Sequence, residues 1–178
     1  GGSRGIGKAM AIDFAREGAS VVIAARSETE QEKLPGTIYA TADEIQALGG
    51  IALPVKCNVA DDQSVEEMVN KTLDKFGKID ILVNNAAIGY YRRFVETPIR
   101  HLDLAYRVKL RGPFLCIKFI LPKMIEEKSG NILNITSTAA DEIYSRIARP
   151  GESRRGSGII YGASKAALDR LTRGLAVE

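Results

Sequence analysis

An α/β fold built on a parallel sheet is what this 178-residue sequence predicts, and three observations carry the prediction. Short β-branched apolar runs, suited to strands buried on both faces, alternate with amphipathic helical stretches, an order that gives parallel strands covered by helices. A glycine-rich segment opens directly into the first helical stretch, where free backbone amides and the helix dipole can hold a phosphate. Toward the C-terminal end, Tyr161 and Lys165 lie four residues apart in a helical stretch and therefore share one face. The length predicts a single domain over 1–178.

Taken in order, Gly1-Gly2-Ser3-Arg4-Gly5-Ile6-Gly7 runs into Ile6, Met10 and Phe14, an apolar spacing that predicts a helix ending near Gly18. The glycines permit close backbone approach, although Gly-x-x-x-Gly-x-Gly differs from the Gly-x-Gly-x-x-Gly dinucleotide fingerprint. Such a loop needs a strand feeding it and none precedes Gly1, so the first strand of the sheet is expected to be missing. Ser20 to Ala25 reads as a buried strand that ends at Arg26-Ser27 with no acid. At a dinucleotide site an acid there takes the ribose 2′-hydroxyl, and an arginine accommodates a 2′-phosphate. Arg4 can supply a second charge-assisted contact, which favours NADP over NAD.

A polar loop from Glu28 to Gly36 precedes a helix over Thr37 to Leu48, closed by Gly49-Gly50. Ile51 to Val59 is strand-like, and Pro54 within it argues for an edge position. Asp61 to Phe76 predicts a helix with Val65, Met68, Val69, Leu73 and Phe76 on one face and acids in the first turn. Ile79 to Val83 is the next strand, ending in Asn84-Asn85-Ala86-Ala87. A long helical stretch from Thr97 to Glu127 is interrupted by Gly112-Pro113 and by Pro122, where lost donors predict a kink. Asn131 to Ile135 is a strand ending in Thr136-Ser137-Thr138, followed by an arginine-bearing loop and the helix Tyr161 to Val177. The chain stops within that helix, so the C-terminal strands are also expected to be missing.

Composition excludes several classes. A net charge of +3, without a basic helix face carrying interleaved aromatics, gives no argument for nucleic acid. Cys57 and Cys116 stand far apart in sequence with a single histidine, His101, so buried thiols in a reducing compartment are expected and a zinc site is not. No apolar run reaches the length of a membrane span, and no targeting segment is visible, which leaves a cytoplasmic location as the expectation.

The chemistry points to Tyr161. A free tyrosine, with pKa about 10, is a poor proton acceptor at pH 7. An ammonium about 5 Å away, at an effective dielectric of about 20, favours the phenolate by about 3 kcal/mol, or about two pKa units. The Tyr161 and Lys165 pair therefore suits acid/base work near neutral pH.

With Gly1 to Gly7, Asn84-Asn85-Ala86, Ser137 at its strand end, and Tyr161 with Lys165 in this order, the chain resembles the short-chain dehydrogenase/reductase family along essentially its whole length. Lys33 to Tyr39 and the following helix are similar to the hydroxysteroid-dehydrogenase-like subgroup. The resemblance implies a Rossmann-like doubly wound sheet and hydride exchange between nicotinamide and an alcohol or carbonyl substrate. It gives Tyr161 the hydroxyl proton, Lys165 the lowering of its pKa and the nicotinamide ribose, and Ser137 a hydrogen bond to the substrate oxygen. Cofactor contacts are expected from Gly1, Ser3, Arg4, Gly5, Ile6, Arg26, Ser27, Asn58, Val59, Asn85, Ala86, Tyr161 and Lys165. Without the other motifs, Ser137 reads as a strand-end serine capping a turn.

Three positions depart from the family pattern: Asn58 replaces a common Asp, Ala87 a common Gly, and Lys109 a catalytic Asn. Lysine is longer, charged and only a donor, and a cation there can repel Lys165. An alternative reading follows, a cofactor-binding sensor or interaction protein with impaired catalysis. Leu104, Val108, Leu115 and Phe119 give the long helix more apolar residues than one face needs, and since similar proteins pair this helix with the one bearing Tyr161, the resemblance implies a homodimer or homotetramer. Arg146, Arg149, Arg154 and Arg155, set against Glu152, suggest a substrate bearing a carboxylate or phosphate.

Overall fold

The computed structural model describes residues 1–32, 34–141 and 158–178. Helix α1 (Gly5–Arg16) precedes strand β1 (Ser20–Ala25), then α2 (Ile38–Ala47), β2 (Ile51–Lys56), α3 (Asp62–Phe76) and β3 (Ile81–Asn84). After a short 3-10 turn, Phe94–Glu96, come α4 (Ile99–Tyr106), a π turn (Arg107–Arg111), α5 (Gly112–Glu126), β4 (Asn131–Asn134), a 3-10 turn (Thr138–Ala140) and α6 (Ile159–Leu175). The arginines of the loop before Tyr161, with Glu152 and Lys33, lie outside the described residues.

All strand pairing among the described residues is parallel. β1 pairs with β2 in the register Ser20 to Ile51 through Ala25 to Lys56, and β3 pairs with β4 from Ile81 with Asn131 to Asn84 with Asn134. Pro54 faces Ile23 in a strand whose only partner among the described residues is β1, in keeping with an edge position. Instead of one continuous sheet, the described strands form two pairs, with a cavity of about 490 Å³ between β1 and β3. Its walls include Val22, Leu82, Val59 and Cys116, and Gly1 and Gly2 reach its rim. Gly2 donates its N–H to Ala24 O at 3.2 Å, so the glycine turn is tied to the end of β1.

Strand β1 shows why helices cover both faces. Ile23 and Ala25 point into a core with Ala11, Ile12 and Ala15 of α1 and Ile38, Ala42 and Ile45 of α2. Val22 and Ala24 point the other way, against a second core formed by Val65, Met68 and Val69 of α3 with Leu115, Cys116, Ile117 and Ile120 of α5. A strand with period 2 and both faces apolar has to be sandwiched in this way. This is the doubly wound, Rossmann-like arrangement.

Local signals set the helix starts. Thr37 caps α2 by accepting the Ala40 N–H at 2.9 Å, and Asp61 caps α3 by accepting that of Ser64 at 2.8 Å. The long helical stretch breaks at the π turn, just before the expected Gly112-Pro113 interruption. Pro113 has no N–H for the carbonyl of Lys109 four residues back and its ring crowds that carbonyl, which favours a widened turn there. Pro122, by contrast, sits inside α5 without ending it.

Cys57 and Cys116 share one core. Burial raises both thiols, Cys116 up to about 12, which keeps them protonated. Among the described residues no acid, histidine and cysteine cluster suits a metal, and no helix is long and apolar enough to cross a membrane.

Candidate active site

Two groups of side chains gather at the end of the strands where β1 and β3 finish. The first surrounds the glycine turn. Asn85 donates its amide to Gly1 O at 3.1 Å, and a Cβ added at Gly1 would meet Ala86 at 3.0 Å, so the Asn85-Ala86 loop rests on the turn. Gly7 is fixed by close approach: a Cβ there would lie 2.1 Å from Gly1 O and 2.5 Å from the Asn85 amide. Ser3 is buried, while Gly5 and Ile6 open α1 toward solvent. Helix α1 begins with no side-chain cap at Arg4 and no acid in its first turn. A bare helix N-terminus behind a glycine cradle fits an anionic diphosphate.

Arg4 then reaches sideways. Its guanidinium donates to Leu34 O at 2.6 Å, Ser27 Oγ at 2.5 Å and Gly36 O at 3.3 Å, which binds the loop after β1 to the glycine turn. Arg26 beside it is exposed. The structure thus brings Arg4 and Ser27 together, as the sequence predicts, but with Arg4 already holding three protein acceptors. Asn58 is used locally: its Oδ1 accepts the Ala60 N–H at 3.2 Å and its N–H goes to Ser64 Oγ at 3.0 Å. Val59 lines the cavity and backs onto Gly112.

The second group is held by α6. A polar ladder fixes this helix to the sheet: Asn84 donates to Asn134 Oδ1 at 2.8 Å, Asn134 to Thr172 Oγ1 at 2.9 Å, and Thr172 to Leu168 O at 2.8 Å. Thr172, Leu168, Lys165 and Tyr161 recur at helical spacing, so the ladder sets the rotation of the face that carries the tyrosine. Close approach at the other end does the rest, since a Cβ at Gly162 would lie 2.5 Å from Ala139 O. That contact docks the turn headed by Ser137 against α6. The Ser137 hydroxyl itself accepts the Ala139 N–H at 3.2 Å, the turn-capping role its strand-end position allows.

Lys165 is buried and its ammonium donates to Ile135 O, with Nζ 5.9 Å from the centre of the Tyr161 ring. Burial lowers its pKa, and Asp169 opposes that effect. The nearer cation is Lys109, whose Nζ lies 4.3 Å from the same ring centre. It projects from the π turn and is only 1% exposed. Burial, and then repulsion from Lys165, lower its pKa to about 8. The expected repulsion between the two lysines is therefore present.

Tyr91 went unnoticed in the sequence. Its ring centre is 6.3 Å from that of Tyr161, and it borders Gly158 at the start of α6. Tyr90 stacks on His101 at 3.9 Å. The adjacent tyrosines between β3 and α4 are a visible signal, but only the fold shows which one turns toward the site. The apolar cavity between the strand pairs is separate, and none of Ser137, Tyr161, Lys165 or Lys109 lines it.

Comparison with known proteins agrees with this fold. A family model described as short chain dehydrogenase matches residues 1–178. Hydroxysteroid dehydrogenase-like protein 2 of Mus musculus is 46% identical over 136 residues, which cover 76% of this chain and 28% of the relative. This chain thus spans about a third or less of the length of such curated relatives. Among solved structures, a metagenomic short-chain oxidoreductase in complex with NADP superposes with a TM-score of 0.83 at 32% identity, covering 99% of this chain and 72% of that one. A putative dehydrogenase from Xanthomonas campestris gives 0.84 at 37% identity, with 99% and 63% covered.

Proposed function

The chain belongs to the short-chain dehydrogenase family, and from that premise we propose that the full protein is an NADP-dependent oxidoreductase acting on an alcohol or ketone. The observation that carries the reading is the placement of Tyr161 on the docked face of α6, with two ammonium groups beside its ring.

When bound, the nicotinamide supplies or accepts the hydride. The chain's own residues bind, orient and move a proton. The glycine turn and the open N-terminus of α1 would hold the diphosphate, and Arg4, Ser27 and Arg26 would take the ribose phosphate. Asn85 and Ala86 keep the turn in shape. Tyr161 gives its hydroxyl proton to a forming alkoxide, or takes one from an alcohol in the reverse direction. Lys165 stands near the Tyr161 ring, and its bond to Ile135 O fixes where its charge sits. Ser137 turns its hydroxyl to the substrate oxygen and can keep the turn bond as an acceptor.

Lys109 favours a second reading, in which cofactor binding survives without turnover and the protein serves as a sensor or interaction partner. Single-turnover hydride transfer from bound NADPH, in the full-length protein with a panel of ketones, separates the two. Transfer to any ketone supports the enzyme, and tight NADPH binding with no transfer supports the alternative.

A further inference from the structure

Two lysines are buried among the described residues, and they differ in what they bind. The ammonium of Lys165 has the Ile135 carbonyl. Lys109 has only the face of the Tyr161 ring at 4.3 Å, with no carboxylate or carbonyl partner among the described residues. A ring face returns less than an ammonium loses on leaving water, and the charge of Lys165 adds to the cost. Nor is the charge simply discarded, because an amine with a pKa of about 8 remains mostly protonated at pH 7. A nearby acid offers little relief. Asp169 acts on Lys165, and the acid that Arg111 of the same turn engages, Asp62, is held in an exposed ion pair.

We propose that Lys109 anchors a substrate carboxylate, so that the enzyme acts on oxo acids or hydroxy acids whose carboxylate stands within a few bonds of the reacting carbon. This rests on Tyr161 as the proton-transfer residue of the proposed function. The geometry sets the substrate class. An ammonium over the ring of the proton-transfer group lies beside the reacting carbon and not at the far end of a long substrate. One unpaired ammonium matches the single charge and compact oxygens of a carboxylate, whereas a phosphate dianion calls for more donors than the described residues bring to this position. The anchored group is chemically unchanged. Lys109 fixes the substrate while the hydroxyl proton passes at Tyr161.

The test uses the full-length protein with 2-oxo and 3-oxo acids of graded chain length and their methyl esters. In the wild type at least one acid is expected to exceed its ester by about tenfold or more in kcat/KM, a ratio that falls to about one in Lys109→Met and is partly kept in Lys109→Arg. A second readout does not depend on turnover. With NADP present, nitrogen NMR titration of the Lys109 amine should show its pKa rising by about one unit or more when the preferred acid binds, and staying put with the ester. Equal handling of acids and esters by the wild type, retention of the acid preference in Lys109→Met, or acid binding that leaves the Lys109 titration unmoved each overturns the proposal. Acids that shift Lys109 while no hydride is transferred would leave the anchor standing and remove the oxidoreductase reading.

Discussion

Two ammonium groups lie near the Tyr161 ring, and replacing each residue has a distinct expected effect. Tyr161→Phe keeps the ring and the packing but removes the proton, so NADPH affinity should be retained while turnover falls by about a hundredfold or more. Steady-state kinetics alongside a cofactor titration checks this, and near wild-type turnover would remove Tyr161 from the reaction. Lys109 should show in stability. Its folded pKa lies below the unfolded value, so at this group the unfolded chain holds more protons between about pH 8 and 10.5, and the contribution of Lys109 to stability rises with pH across that window. Below pH 8 the cost is fully present. Lys109→Met should therefore be more stable than wild type at pH 7, by about 1 to 3 kcal/mol, with the difference closing above about pH 10.5. Urea unfolding at the two pH values reads this directly. At the other end of the site, Ser27→Asp with Arg26→Ala sets a carboxylate against Arg4, where a 2′-phosphate would approach, and removes an exposed cation. Two charge-assisted hydrogen bonds at about 1.5 to 3 kcal/mol each correspond to a preference of about a hundredfold or more for NADPH over NADH, and the double variant should shift it toward NADH. Equal affinities of the wild type for the two cofactors would show that the arginines do not contribute.

Among the elements, α6 depends on its polar ladder. Asn134→Ala leaves the Asn84 amide without its cross-strand acceptor and the Thr172 hydroxyl without its donor from the sheet, at a cost of about 1 to 3 kcal/mol. Because the residue replaced bonds α6 through Thr172 while the glycine turn is held by Asn85, turnover should drop more than cofactor affinity does, which kinetics and titration on the same sample would show. The strands, the helices and the glycine turn were legible in the sequence because each is written in local periods, caps and punctuation. Asp61 and Thr37 marked helix starts to within a residue. What local pattern could not show is which residues meet across the fold. Tyr161 and Lys165 share a face, yet the ammonium of Lys165 turns to the Ile135 carbonyl, and the nearer of the two lysines comes from a segment more than fifty residues earlier. Spacing within one helix says nothing of a neighbour that arrives from another. Strand ends shifted for a similar reason: Ile79 has the right residue type, but Lys78 and Asp80 pair with each other at 2.9 Å and the ladder of β3 starts at Ile81.

Assembly belongs to the scale of the whole molecule. Val108 and Leu115, two of the apolar residues from which a dimer was expected, are buried inside the subunit. Leu104 stays partly exposed and Phe119 half-buried, while Ile99 of α4 and Phe114 of α5 are 71% and 50% exposed. Those exposed apolar side chains keep an association through α4 and α5 as the proposal, with a homodimer or homotetramer expected for the full-length protein. Light scattering at tens of micromolar tests it, and a monomer would contradict it. The π turn joins this surface to the chemistry. A turn of that kind holds one residue more than a regular helix has room for, and each residue of an α-helix advances its direction by about 100°. Loss of a single residue between 107 and 111 would let α4 and α5 run on as one regular helix, but out of phase, turning either the outward apolar stripe or the lysine beside the tyrosine away from its place. Along this helix the outer surface and the reacting face are kept in step by the count of residues between them, so substitutions are tolerated here far more readily than a change of length.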